Sequence, residues 1–138
     1  MTQEQKYLLL KDLCARLPYG VKGLVTFNGN PSMLQIQEDR TIDGKLYDRF
    51  AKFQDSWYDN VTIKPYLFPL SSMTEEQKQY LKNRFCYDWN GESYDLWICQ
   101  IEIGDVDELI DWFHKNHIDH RCLIEESLAL DATGLGIY

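Results

Sequence analysis

The first seventy residues combine one amphipathic helix with short stretches of strand-like pattern. Over residues 3–17 apolar side chains recur at helical spacing, and Pro18 ends the pattern. The apolar face predicted for this helix consists of Tyr7, Leu9, Leu10, Leu13, Cys14 and Leu17. Stretches rich in β-branched and aromatic residues follow at 21–27, 33–37, 45–53 and 57–63, separated by turn-forming residues. Their alternation predicts a small antiparallel sheet with one packed face, or a partial barrel.

The second half predicts two more helices, one strand and a docked tail. Residues 64–70 contain two prolines, which favour an extended connector over a central strand. Thr74 and Gln77 have capping-box spacing at the start of a helix that runs to about Phe85. A strand is predicted at 94–103, followed by a helix that begins at Asp105 and ends near Asn116. The apolar tail, residues 123–138, should dock against the core.

These elements predict one α+β domain over residues 1–138, with about three helices packed on the sheet. Its first part, 1–70, would hold one helix and the short strands, and its second part, 71–138, an acidic helix–strand–helix unit and the tail. The length of 138 residues suits a single domain, and the apolar and charged fractions of 44% and 26% are those of a globular protein.

The charged residues are distributed unevenly between these two parts of the chain. Residues 1–70 carry nine basic and eight acidic residues, whereas residues 71–138 carry five basic and fourteen acidic ones. The acidic half therefore disfavours nucleic acid as a partner. An acidic surface over residues 102–126 could instead bind a basic host protein as a decoy, although acidity also simply keeps proteins in solution.

The cysteines and the apolar runs bear on location. Four cysteines are widely spaced without a CxxC pair, so free thiols in a reducing compartment are expected. No apolar run approaches the length of a membrane span, and the first residues lack the pattern of an export signal. We therefore predict a cytoplasmic protein with no membrane partner; the sequence leaves oligomerisation open.

Cations and aromatic residues are interleaved in the predicted strands between residues 40 and 66. On a sheet they could form a stacking and charge surface for a base or nucleotide, or they could be the solvated face and the core face of an ordinary hairpin. The candidate ligand-binding residues are Arg40, Lys45, Tyr47, Arg49, Lys52, Trp57, Tyr58, Lys64 and Tyr66.

The three histidines of the chain lie close together near its end, in an HxxHxxHxC pattern. His114, His117, His120 and Cys122 are ligand types that bind zinc. However, His117 also belongs to the apolar face of its helix, and His120 lies beyond the helix end. A core histidine is the more ordinary interpretation, and zinc is expected as a cofactor only if the metal interpretation holds.

Three stretches are similar to one protein group. LCARLPYGV at 13–21, KPYLFPLSSMTEE at 64–76 and DWFHKNHIDHRCLI at 111–124 resemble small uncharacterised proteins of gut Bacteroidales and their prophages and mobile elements. These relatives often have Tyr and Gly in place of His120 and Cys122, which weighs against zinc. The resemblance brings no activity with it. It implies a phage or mobile-element accessory protein that acts in the cytosol.

The sequence contains no convincing catalytic set, so we expect a non-enzymatic module that binds a small ligand or a host protein. The alternatives are a zinc-dependent enzyme built on the histidine cluster and the acidic decoy.

Overall fold

The computed structural model describes residues 2–27, 30–35, 61–85, 87–89, 94–96 and 103–138. Three helices and a small mixed sheet make up this part of the chain, which confirms the α+β class. The helices are α1 (Gln3–Arg16), α2 (Glu75–Phe85) and α3 (Ile103–Lys115). The strands are β1 (Lys22–Phe27), β2 (Asn30–Gln35), β3 (Val61–Pro69), β4 (Tyr87–Trp89), β5 (Tyr94–Leu96), β6 (Ile118–Asp119) and β7 (Leu130–Asp131).

The main sheet has the order β2-β1-β3-β6, with β7 also paired to β3. β1 is antiparallel to both β2 and β3, as the sequence predicts. β6 and β7, however, run parallel to β3. The prediction of a purely antiparallel sheet was therefore wrong. Among the described strands the sheet is open, so the partial barrel is not formed by this part of the chain.

The prediction of an extended connector at 64–70 was wrong, because residues 64–69 belong to β3. The strand runs through both prolines and forms the centre of the sheet. The prolines fit because they lie where pairing with a neighbour ends: Pro65 is the last residue paired with β1, and Pro69 is the last paired with β6. A missing N–H is tolerated best at such ends.

α1 matches its predicted span, but its buried face is rotated. Leu9, Asp12, Leu13 and Arg16 are buried, whereas Tyr7 is 61% exposed and Cys14 is exposed too. The prediction counted apolar residues alone. It therefore missed that a charged pair at i, i+4 shares the buried face with Leu9 and Leu13.

Two apolar clusters form the described core. The first joins α1 to β3 and the tail through Leu9, Leu13, Val21, Ile63, Leu67, Leu123, Leu128 and Ala129. The second joins α2, α3 and β6 through Met73, Leu81, Phe85, Leu109, Phe113 and Ile118. The tail docks as predicted, since Ala132 donates its N–H to the carbonyl of Leu67 at 2.8 Å.

The remaining predicted elements are confirmed in part. Thr74 and Gln77 form the expected reciprocal cap of α2. α3 begins two residues before the predicted Asp105. Of the strand predicted at 94–103, residues 94–96 form β5, which pairs with β4, whereas Ile103 begins α3 instead. Residues 97–102 lie outside the described residues, as do residues 36–37, the predicted strand 45–53 and residues 57–60. None of the described helices is long and apolar enough to cross a membrane.

Candidate functional site

Most of the predicted cation–aromatic surface lies outside the described residues. This applies to Arg40, Lys45, Tyr47, Arg49, Lys52, Trp57 and Tyr58. The two members that are described, Lys64 and Tyr66, are half-buried on β3. The carbonyl of Tyr66 accepts a hydrogen bond from the Tyr138 hydroxyl at 2.8 Å, so the tail covers this part of the strand.

The three histidines follow one another through the end of α3 and the turn into β6. His114 is buried in the last turn of the helix, and the N–H and the side chain of Asn116 both bond back to the Trp112 carbonyl where the helix ends. His117 then takes a left-handed conformation with a φ of 58°, which reverses the chain into β6. His120 follows that strand.

The structure brings His114 and His120 together and places the other two candidate ligands elsewhere. The ring centroids of His114 and His120 lie 5.0 Å apart, and the His120 ring also stacks on Phe113. His117 instead stacks on Tyr138, with ring centroids 3.6 Å apart. Cys122 has an exposed side chain.

Sequence reasoning missed the group that lies against these histidines, the buried ion pair of α1. The Nε of Arg16 donates to Oδ2 of Asp12 at 2.7 Å, and both side chains are fully buried. Nη2 of Arg16 donates to the carbonyl of Ile118, also at 2.7 Å. The pair therefore links α1 to β6. The sequence shows an Asp and an Arg at i, i+4, the spacing of a helical ion pair, but it does not show that the pair is buried.

Several buried polar atoms of the ion pair and of residues 114–121 have no hydrogen-bond partner among the described residues. They are Asp12 Oδ1, Arg16 Nη1, His114 Nε2, His117 Nδ1, His120 Nδ1 and Arg121 Nη1. Arg121 Nη1 lies 3.4 Å from Asp12 Oδ1, which is within ion-pair distance. Buried polar atoms normally have partners, so a cluster of this size is a functional candidate.

The histidines are held neutral. Burial, with Arg16 as the next contribution, lowers the pKa of His114 and of His117 from 6.5 to about 4. The same two causes lower the pKa of His120 to about 3. At neutral pH all three imidazoles therefore keep a lone pair on one ring nitrogen.

A pocket of about 340 Å³ is lined in part by the segment that joins α3 to β6, residues 114–120, here called the histidine turn. Its apolar walls come from β3, the segment before α2, β6 and the tail, and they consist of Phe68, Met73, Ile118 and Tyr138. Its polar groups come from the start of α2 and the end of α3, and they include Thr74, Gln77, Lys115, Asn116 and His117. The volume lies within the range of small-molecule sites.

Tyr138 forms the pocket wall because its hydroxyl is held by two strands. It accepts a hydrogen bond from the N–H of Lys22 at 2.8 Å and donates to the carbonyl of Tyr66 at 2.8 Å. The Nζ of Lys22 also donates to the carbonyl of Ile137 at 2.6 Å. The Tyr138 ring is thereby placed against His117 and Phe68.

Comparisons with known proteins add no relative. No protein-family model matches the chain, and searches of curated proteins and of solved structures gave no significant match.

Proposed function

We propose that the protein is a non-enzymatic binding module that holds a small anionic ligand with a flat apolar body in the pocket beside His117. The observation that carries the proposal is the pocket itself, in which apolar walls and a few polar groups converge on a volume of about 340 Å³. This combination is typical of ligand sites.

The walls define the body of the ligand. Tyr138 and Phe68 present aromatic rings, and Met73 adds a thioether that adapts to an aromatic partner. A planar ring is the shape that such walls bury best.

The polar groups define its charge. Lys115 has no acidic partner among the residues with described side chains, so its ammonium group is available to a carboxylate. Nδ1 of His117 is buried without a partner in the described part of the chain and could bond to the same ligand. The start of α2 is a poorer place for the anion, because Glu75 and Glu76 lie in its first turn.

The context implied by the sequence resemblance is part of the same proposal. We infer a cytoplasmic accessory protein of a phage or mobile element of gut Bacteroidales. The acidic-decoy alternative has less support, since Arg84 pairs with Asp105 and with Glu108 and neutralises part of the acidic face of α3.

Ligand-observed NMR with a panel of aromatic monocarboxylates, including benzoate, salicylate and indole-3-acetate, tests the proposal. We expect at least one member to bind the wild-type protein. Lys115→Met removes the charge but keeps the stem, and should weaken that binding about tenfold, the equivalent of about 1.4 kcal/mol.

The matched control is Lys11→Met, an exposed lysine on α1 that lies away from the pocket residues. It should bind as the wild type does. The proposal fails if no member of the panel binds, or if Lys115→Met and Lys11→Met have the same effect.

A further inference from the structure

Three side chains from three separate segments converge at the buried ion pair, to which one of them belongs. Asp12 comes from α1, His114 from α3, and His120 from the turn after β6. One potential ligand atom of each lies within 4.8 Å of those of the other two. Two ligands of a tetrahedral ion lie about 3.4 Å apart, because metal–nitrogen and metal–oxygen bonds are about 2.0–2.2 Å long. Side-chain rotations that move these atoms by about 1 Å would therefore bring all three onto one ion.

The burial of these side chains is the second observation. Asp12 is fully buried and His114 is 4% exposed, and neither can bond to bulk water. Asp12 Oδ1, His114 Nε2 and His120 Nδ1 are all buried atoms without a hydrogen-bond partner in the described segments. Leaving three such atoms unsatisfied is unfavourable, and one bound ion would satisfy them together.

We propose that Asp12, His114 and His120 bind a single divalent transition-metal ion. Two imidazoles and one carboxylate are a donor set that suits Zn²⁺ and Fe²⁺, and three protein ligands leave coordination positions open for water or another small molecule. This site differs from the cluster predicted from the HxxHxxHxC pattern, because Asp12 takes the place of His117 and Cys122.

The two arginines decide how such an ion would bind. Arg16 occupies only Oδ2 of Asp12, so it orients the carboxylate and leaves Oδ1 as the ligand. Arg121, by contrast, places Nη1 3.4 Å from Oδ1, and its side chain is 20% exposed. A metal ion must displace this guanidinium group towards solvent. Arg121 is therefore a competitor for the site, and its removal should strengthen metal binding.

Titration of chelator-treated protein with Zn²⁺, followed by calorimetry, tests the site. We expect one Zn²⁺ per chain. His114→Gln and His120→Gln should each weaken Zn²⁺ binding at least tenfold, while Arg121→Met should strengthen it severalfold. Cys122→Ser is the control and should leave the affinity unchanged. With Co²⁺ in place of Zn²⁺, visible absorption should report nitrogen and oxygen ligands and lose intensity in His120→Gln.

Circular dichroism of each variant without metal separates loss of a ligand from loss of the fold. If both histidine variants fail to fold, wild-type Zn²⁺ stoichiometry and the Arg121→Met affinity decide the question. The proposal is overturned if Zn²⁺ does not bind stoichiometrically, or if Arg121→Met leaves the affinity unchanged or lowers it. It is also overturned if Cys122→Ser, but neither folded histidine variant, abolishes binding.

Discussion

Removing the carboxylate of the buried Asp12–Arg16 ion pair should destabilise the metal-free protein severely. In Asp12→Ala the guanidinium group of Arg16 stays fully buried and retains only the carbonyl of Ile118 as a hydrogen-bond acceptor among the described residues. Arg121 also loses its carboxylate partner. Leaving a buried charge uncompensated costs about 3–5 kcal/mol. Since small domains are stable by about 5–15 kcal/mol, this one change could consume most of the stability.

Removing the guanidinium group of the same ion pair should lower the free energy of unfolding by less. In Arg16→Met the stem volume is kept, and the carboxylate of Asp12 still has Arg121 Nη1 within 3.4 Å. Arg121 can move closer because its side chain is partly exposed. We therefore expect Arg16→Met to cost about 1–3 kcal/mol, because Asp12 loses its hydrogen bond from Arg16 and the carbonyl of Ile118 keeps only the N–H of His120 as a donor.

The assay is urea unfolding of both variants with a chelator present, followed by circular dichroism. The double variant Asp12→Ala/Arg16→Met completes a mutant cycle, and it should be more stable than Asp12→Ala alone because no buried guanidinium is left unpaired. The reasoning is refuted if Asp12→Ala lowers the free energy of unfolding by less than about 1 kcal/mol, or if Arg16→Met is less stable than Asp12→Ala.

Three further predictions concern the histidine turn, the tail and the core. In the metal-free protein the pKa of His117 is about 4 in the folded chain against 6.5 in the unfolded chain, so the unfolded chain binds the proton more readily. The free energy of unfolding is therefore highest above pH 6.5 and falls as the pH drops towards 4. Urea midpoints of His117→Gln should depend less on pH over that range than those of the wild type. Tyr138→Phe removes the hydroxyl that joins Lys22 to Tyr66 and should cost about 0.5–1.5 kcal/mol in thermal unfolding; an unchanged Tm would contradict that bridge. Leu67→Ala should cost about 2–5 kcal/mol because Leu67 is fully buried, whereas Leu135→Ala, at 57% exposure, should stay within about 0.5 kcal/mol; similar costs would contradict the core assignment.

Both proposed sites combine residues that the sequence keeps far apart. Candidate metal ligands could be recognised in the sequence at His114 and His120, because imidazoles at short spacing are a known signal. Asp12 could not be recognised as their partner, because it lies 102 positions before His114. The same holds for the pocket, whose wall residues Phe68 and Tyr138 are 70 positions apart.

The sequence by itself determined the three helices and β1. Helical spacing of apolar residues, the capping pair Thr74–Gln77 and the alternation in β1 identify these segments, since such signals depend on neighbours within a few residues. The central strand β3 was not determined in this way, because its two prolines favoured a connector and only the pairing with its neighbours accommodates them. Tertiary structure alone decided that β6 and β7 pair in parallel with β3, that Asp12 and Arg16 are buried, and that His114 and His120 meet while His117 stacks on Tyr138. Strand pairing, burial of a charge and convergence of side chains depend on contacts between distant parts of the chain, and local periodicity carries no information about them.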